Sequence, residues 1–227
     1  MKDYTITQLD LYGNNLTELP HDIHLYTNLT QLDCDHNQIT SLEPLRNLTN
    51  LKKLFCSNNL LTSLEPLKNL ANLETIHCSH NLLTSMEPLS NLINLKRLIC
   101  NHNLLTSLDT LPNELICLHC DHNQISSLDH LPSTMAVLIC SENNINSLDR
   151  LPANVTFLSC WGNLLTGLNM LPDNMYYLNC SMNQITLLDY LPPSLMVLNC
   201  GNNPLEYDFE PSLENIRDSY TNEFVLK

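Results

Sequence analysis

The side chains most able to do chemistry here are nine histidines and ten cysteines, and their positions are strongly patterned. Nine cysteines fall at 34, 56, 78, 100, 120, 140, 160, 180 and 200, with intervals of 22 residues three times and 20 five times. His36, His80, His102 and His122 each stand two residues after one of these cysteines, and the last three belong to consecutive repeats of the pattern. Cys117, His77 and His119 lie off that lattice. With Asp121 nearby, His102, Cys117, His119 and His122 offer the nitrogen and sulfur donors that Zn²⁺ takes. Their spacing matches no zinc signature, however, and a repeat puts identical residues in columns for no chemical reason. The expectation is therefore no metal and no cofactor, with those four as the candidate ligands if a metal is bound. Without metal, stacked imidazoles would form a patch that titrates near pH 6.5.

The cysteines themselves read as structural. Neighbouring positions would stack ~4.8 Å apart with parallel Cβ vectors, which does not close a disulfide. A buried thiol is a small hydrophobe with a raised pKa. So many free thiols suit a reducing compartment, and an intracellular, cytoplasmic home is expected. A second column is acidic: Glu43, Glu65, Glu87, Asp109, Asp129, Asp149 and Asp189, interrupted by Asn169. Seven stacked carboxylates could take Ca²⁺ or a basic partner. The plainer expectation is that each accepts hydrogen bonds from backbone N–H groups opening the next turn. No phosphate-binding G-x-x-x-x-G-K-[ST], no G-x-G-x-x-G and no G-x-S-x-G occurs, and no Ser or Cys stands out as a nucleophile. No catalytic residue is expected.

What positions these residues is the repeat, which reads L-x-x-L-x-C-x-x-N-x-L/I, as in Leu51-Lys52-Lys53-Leu54-Phe55-Cys56-Ser57-Asn58-Asn59-Leu60-Leu61. Asn37, Asn59, Asn81, Asn103, Asn123, Asn143, Asn163, Asn183 and Asn203 follow the nine cysteines by three, and an earlier copy carries Leu11 in place of Cys. A strand from Lys53 to Ser57 would turn Leu54 and Cys56 inward and Lys53, Phe55 and Ser57 to solvent. The Asn, leaving the strand, can donate and accept at once and so satisfy buried turn backbone. Ten strands would make a sheet on the order of 45 Å long. No single turn can bury its Leu set alone, so the array must act as one unit. On the open face of that sheet, Phe55, Ile99, Val137, Ile139, Phe157, Trp161 and Tyr177 are apolar among polar neighbours. Cys117, His119, Ser57, Ser79, Ser141 and Ser159 are assigned to the same face. The stretch from Val137 to Tyr177 is the expected binding patch, with Trp161 as its main anchor.

Over about nine-tenths of its length the chain resembles the leucine-rich-repeat family. The 22-residue copies, with Ser41-Leu42-Glu43-Pro44 echoed at Ser63 and Ser85, resemble repeats of intracellular phosphatase regulators and bacterial internalins. The 20-residue copies, with Leu-Pro as in Leu131-Pro132, resemble repeats of enterobacterial type III effectors. The resemblance implies an α/β-horseshoe solenoid: a right-handed coil with one parallel sheet on its concave face and short 3₁₀ or extended segments on the convex side. A flatter arc is expected after about residue 105, where the back of the coil shortens. In the effector family the repeats serve a separate ubiquitin-ligase domain; with some two dozen residues after Asn203, no such domain is expected here.

The domain expectation is one unit over 1–227: a cap and first repeat over 1–25, repeats over 26–203, and a C-terminal cap over 204–227. Leu213, Ile216 and Tyr220 sit at helical spacing in that cap. The net charge of −14 is uneven, with 10 acids and 7 bases in 1–97 against 14 acids and 3 bases in 98–227. Such a surface repels phosphate backbones and anionic lipid, so neither nucleic acid nor membrane is an expected partner. No secretory signal and no membrane-length apolar run is visible. The functional expectation is a protein-binding adaptor, monomeric by itself, that takes its partner on the concave face. The alternatives are a microbial or viral effector acting in host cytoplasm, and a metal-binding or metal-sensing protein using the histidine column.

Overall fold

The structure, a computed structural model, describes residues 3–188 and 190–225, with side chains as far as 219. Ten three-residue strands lie parallel, in chain order, in one sheet. They are β1 (Gln8–Asp10), β2 (Gln31–Asp33), β3 (Lys53–Phe55), β4 (Thr75–His77), β5 (Arg97–Ile99), β6 (Cys117–His119), β7 (Val137–Ile139), β8 (Phe157–Ser159), β9 (Tyr177–Asn179) and β10 (Val197–Asn199). Every residue faces its repeat equivalent, so Leu32, Leu54, Ile76 and Leu98 form one inward row. A one-residue slip would turn that row to solvent, which is why the repeat phase dictates the register. Within one turn Leu54, Cys56, Leu61, Leu64, Leu67, Leu70 and Leu73 are all fully buried. At about 1.5–3 kcal/mol per buried Leu, the stacked turns hold one another.

The strands are three residues long where five were expected. The second residue after each cysteine adopts a left-handed backbone, with φ between 51° and 56° at His36, Asn58, His80, His102, His122, Glu142, Met182 and Asn202, and 67° at Gly162. That turn ends the strand. Asn and Gly take such angles readily, whereas the other side chains do so only because the neighbouring turns impose it.

The ladder asparagines secure the turn. Asn81 donates from Nδ2 to the carbonyls of Cys56, Cys78 and Ser79 at 3.0, 3.1 and 3.2 Å, and its Oδ1 accepts the Leu61 N–H at 2.9 Å. The pattern runs from Asn37 to Asn203. One side chain thus satisfies buried backbone in two successive turns, groups that would otherwise stand orphaned.

On the convex side the 22-residue repeats form 3₁₀ turns at Glu43–Leu45, Glu65–Leu67 and Glu87–Leu89, each with Pro as its second residue. In the 20-residue repeats a proline carbonyl closes a tighter turn: Pro112, Pro132, Pro152, Pro172 and Pro192 accept the N–H groups of Leu115, Met135, Val155, Met175 and Leu195. The acidic column does not cap these turns. The backbone N–H groups of Glu43, Glu65, Glu87, Asp109, Asp129 and Asp149 donate instead to Ser41, Ser63, Ser85, Ser107, Ser127 and Ser147, at 3.0–3.2 Å. A serine two residues upstream reaches that N–H directly, which leaves the carboxylates exposed. Glu43 pairs with Arg46 at 2.5 Å, Glu65 with Lys68, and Asp109 accepts the Ser107 hydroxyl at 2.6 Å. Asp189 lies outside the described residues.

Helix α1 (Leu213–Val225) follows the last repeat, with Ile216 fully buried in the common core. Arg217 donates to the carbonyls of Pro192 and Leu195 at 2.7 and 3.0 Å, and Tyr207 bonds both the N–H and the C=O of Leu188. The side chain of Tyr220 lies outside the described residues. No described helix is long and apolar enough to cross a membrane.

Candidate functional site

Alternation along each strand leaves two side chains per repeat facing out of the sheet, and the position after the ladder cysteine borders them. The column that opens the strands reads Gln31, Lys53, Thr75 and Arg97, then Cys117, Val137, Phe157, Tyr177 and Val197. The central column reads Asp33, Phe55, His77, Ile99, His119, Ile139, Ser159 and Asn179. Phe55, Ile99, Val137, Ile139, Phe157, Trp161 and Tyr177 all lie on this face or its border, half-buried by their neighbours. Phe157 and Tyr177 stack with centroids 4.2 Å apart and planes 2° from parallel. Trp161 meets His122 edge-on at 6.3 Å.

Not every side chain assigned to the open face is exposed. Cys117, Ser57, Ser79, Ser141 and Ser159 are buried. They are small and sit between larger neighbours: the Arg97 guanidinium lies 3.7 Å from the Cys117 sulfur, and the Ser141 and Ser159 hydroxyls bond each other at 3.0 Å.

His80, His102 and His122 form an exposed stack, with successive centroids 4.1 Å apart and planes 14° and 11° from parallel. Burial, and then the neighbouring imidazoles, lower the pKa of His102. Burial likewise lowers His77 and His119. Parallel rings send their lone pairs side by side, so no common point lies between them. Among the described residues no group of three or more His, Cys, Asp or Glu converges as a metal site would require, and His102, Cys117, His119 and His122 are no exception.

All ten cysteines are buried free thiols. Cys34, Cys56 and Cys100 donate to the carbonyls of Phe55, His77 and His119 at 3.3 Å. Burial pushes the Cys78 and Cys180 thiols up to about 12, out of reach of thiolate chemistry at neutral pH.

Two carboxylates on this face are unusual. Asp35 accepts the Ser57 N–H at 2.5 Å, and burial, reinforced by Asp33, raises its pKa to about 6. Burial also raises Asp121, which accepts the Ser141 N–H at 3.1 Å. His77 Nε2 and Asn101 Oδ1 are buried in the same half without a hydrogen-bond partner.

Sequence reasoning missed a column. The residues immediately before the strands are Thr30, Lys52, Glu74 and Lys96 in the early repeats, then Ile116, Ala136, Thr156, Tyr176 and Met196. Ile116, Tyr176 and Met196 are 40%, 56% and 64% exposed, beside Val197 at 41%. The change from charge to hydrocarbon at one repeat position was visible in the aligned copies. A second apolar row, Leu60, Leu82 and Leu104, lies exposed immediately after the ladder asparagines.

A family model described as leucine-rich repeats in two copies matches residues 5–47, 27–69, 49–91 and 71–113. No curated protein matches the chain in sequence. Among solved structures, YopM of Yersinia pestis, titled a leucine-rich effector protein, is 31% identical with a TM-score of 0.78, over 88% of this chain and 55% of that one. The functional domain of InlJ of Listeria monocytogenes, described as including a cysteine ladder, is 27% identical with a TM-score of 0.67, over 93% and 56%. Internalin C2 of Listeria monocytogenes is 25% identical with a TM-score of 0.69, over 88% and 79%. The chain thus spans about half the length of the YopM and InlJ chains.

Proposed function

The chain belongs to the leucine-rich-repeat family, and from that premise we propose that it is a non-catalytic adaptor whose concave sheet binds a partner protein. The observation that carries this reading is that the framework is complete without the outward side chains. Leucines fill the core, cysteines pack beneath the sheet and asparagines satisfy the turns, yet Val137, Ile139, Phe157 and Tyr177 still place hydrocarbon on the open face. Apolar anchors in a polar frame are what protein interfaces use. The acidic surface suits neither nucleic acid nor an anionic membrane.

The experiment is an affinity capture from lysate comparing the wild type with a Trp161→Ala, Tyr177→Ala double variant. A protein held by the first and lost by the second is the expected result. An identical captured set would overturn the assignment to this face.

A second reading has one specific support. The 31% identity to YopM, an effector protein by its title, favours an effector role. Ten buried free thiols are compatible with any reducing compartment and so fit an intracellular site under either reading. Metal sensing is the weakest reading, because the stacked imidazoles do not converge.

A further inference from the structure

We propose that the C-terminal half of the concave face is a groove for an amphipathic helix from another protein, one with an aliphatic stripe and lysine or arginine on both flanks. The inference rests on the reading of the concave face as the binding surface and names the class of its partner.

Two adjacent columns change character at the same repeat. Ahead of the strands, Lys52, Glu74 and Lys96 give way to Ile116, Tyr176 and Met196; at the strand starts, Lys53 and Arg97 give way to Val137, Phe157 and Tyr177. In the early repeats the first column is occupied with its own charges, Lys52 bridging Glu74 at 3.2 Å. In the late repeats it carries no charge, with Ile116, Tyr176 and Met196 exposed and Ala136 and Thr156 half-buried between them. The framework does not require this change, since an apolar core, the ladder cysteines and the ladder asparagines recur in both halves.

The geometry selects the form of the occupant. Strands β7–β9 have neighbours on both sides, so their backbone groups are already paired, and a strand added at the outer edge of β10 would lengthen the sheet without covering the groove. Binding must go through side chains. From Val137 to Val197 is three strand spacings, about 14 Å, or about ten residues of helix.

Charge selects the flanks. Residues 98–227 hold only three bases: Arg150, Arg217 and Lys227. Arg217 is committed to the Pro192 and Leu195 carbonyls, Arg150 lies in a convex turn, and Lys227 is outside the described residues. At the early end of the groove stand Asp121 and Glu142, just after β6 and β7, the latter with its carboxylate over Gly162, and Glu114 ahead of β6. Two copies meeting through this face would press acidic borders together, whereas a basic-flanked helix neutralises them.

The test uses the whole chain and two labelled synthetic helices of about fourteen residues, each with a leucine stripe, one flanked by lysine and one by glutamate. Fluorescence anisotropy should show the lysine peptide binding at least about tenfold more tightly than the glutamate peptide. It should weaken by about tenfold in a Tyr176→Ser, Met196→Ser variant and hold in Phe55→Ala. Both substituted side chains of the double variant lie outside the core, and circular dichroism checks that it folds. Equal affinity for the two peptides, or no binding of either, overturns the proposal while the capture experiment still decides the concave-face reading. Loss of binding in Phe55→Ala alone would place binding on this face but outside this groove. Reversible dimerisation abolished by the double variant would make a second copy the occupant and also overturn it.

Discussion

The two halves of this solenoid share a skeleton and differ in what they hang on it. Up to about Leu105 the repeat is 22 residues long, its back is a 3₁₀ turn, and its open face carries charge, imidazole and unpartnered polar atoms. Beyond that the repeat loses two residues, a proline turn closes the back, and the strand starts turn apolar at Val137, Phe157, Tyr177 and Val197. The strand leucines, ladder thiols and ladder asparagines pass through the boundary, while other core positions exchange Leu for Met, Val or Ile and stay apolar. The lesson is that in a one-dimensional array the residues that hold neighbours together are free of those that meet a partner, so one can vary while the other stays fixed.

The largest expected effect tests the shared skeleton. Asn103→Ala strands the Leu83 N–H and the carbonyls of Cys78 and Cys100; Asn163→Ala strands their equivalents at Ile145, Cys140 and Cys160. Each should cost about 3 kcal/mol, because buried backbone groups lose partners without gaining water. Urea unfolding of both variants checks this, and a gap above about 1 kcal/mol between them would mean the two frameworks are not equivalent.

A smaller effect separates face from framework. Phe157→Ala removes one ring of the stack with Tyr177 and should cost about 1–2 kcal/mol, whereas Leu158→Ala, one residue along and fully buried, should cost about 3–4 kcal/mol. Partner affinity should follow the opposite order among folded protein. If both substitutions lowered stability equally, the outward ring would belong to the core and the division argued above would fail.

How much of this could be read from the sequence follows from the same division. The order and register of the strands were legible: a cysteine every 20 or 22 residues and an asparagine three later place each strand and the turn that follows it. The stacking of His80, His102 and His122 was legible too, as identical positions in consecutive repeats. The capping of the convex turns was misassigned, since a carboxylate and a serine two residues apart both have the right chemistry and only the backbone path decides between them. Strand length was overestimated because left-handed turns are announced by Asn or Gly, and here His, Glu and Met occupy them. Ile116, Tyr176 and Met196 escape a reading by strand alternation, because their exposed side chains lie one residue before the strand.

The two convex designs offer a further comparison. Ser85→Ala and Ser147→Ala remove the hydroxyls that accept the Glu87 and Asp149 N–H groups, and each should cost about 1 kcal/mol. Ser85 precedes a 3₁₀ turn and Ser147 does not, so thermal unfolding of the pair reports whether the cap matters more where a helical turn follows. Equal losses would show that the serine acts on the turn common to both repeats.

The smallest effect is a pH dependence set on the open face. His77 and His119 have lowered pKa values, so the unfolded chain takes up protons first as pH falls below about 6.5, and these groups withdraw stability from there downward. Asp35 works the other way. Its carboxyl protonates at about 6 when folded, well above the ordinary carboxylate value, so it costs stability at neutral pH and returns it as pH falls through 6 toward 4. The two trends oppose each other in the wild type and hide each other. Asp35→Asn keeps an oxygen for the Ser57 N–H and removes the half-buried charge. The variant should be more stable than wild type by up to about 1 kcal/mol at pH 7.5, a figure kept small because solvent screens the site. The difference should close between pH 6 and pH 4 and leave the histidine trend uncovered. Urea midpoints at pH 7.5, 6 and 4.5 measure it, and a difference that stayed constant across them would make Asp35 an ordinary surface carboxylate.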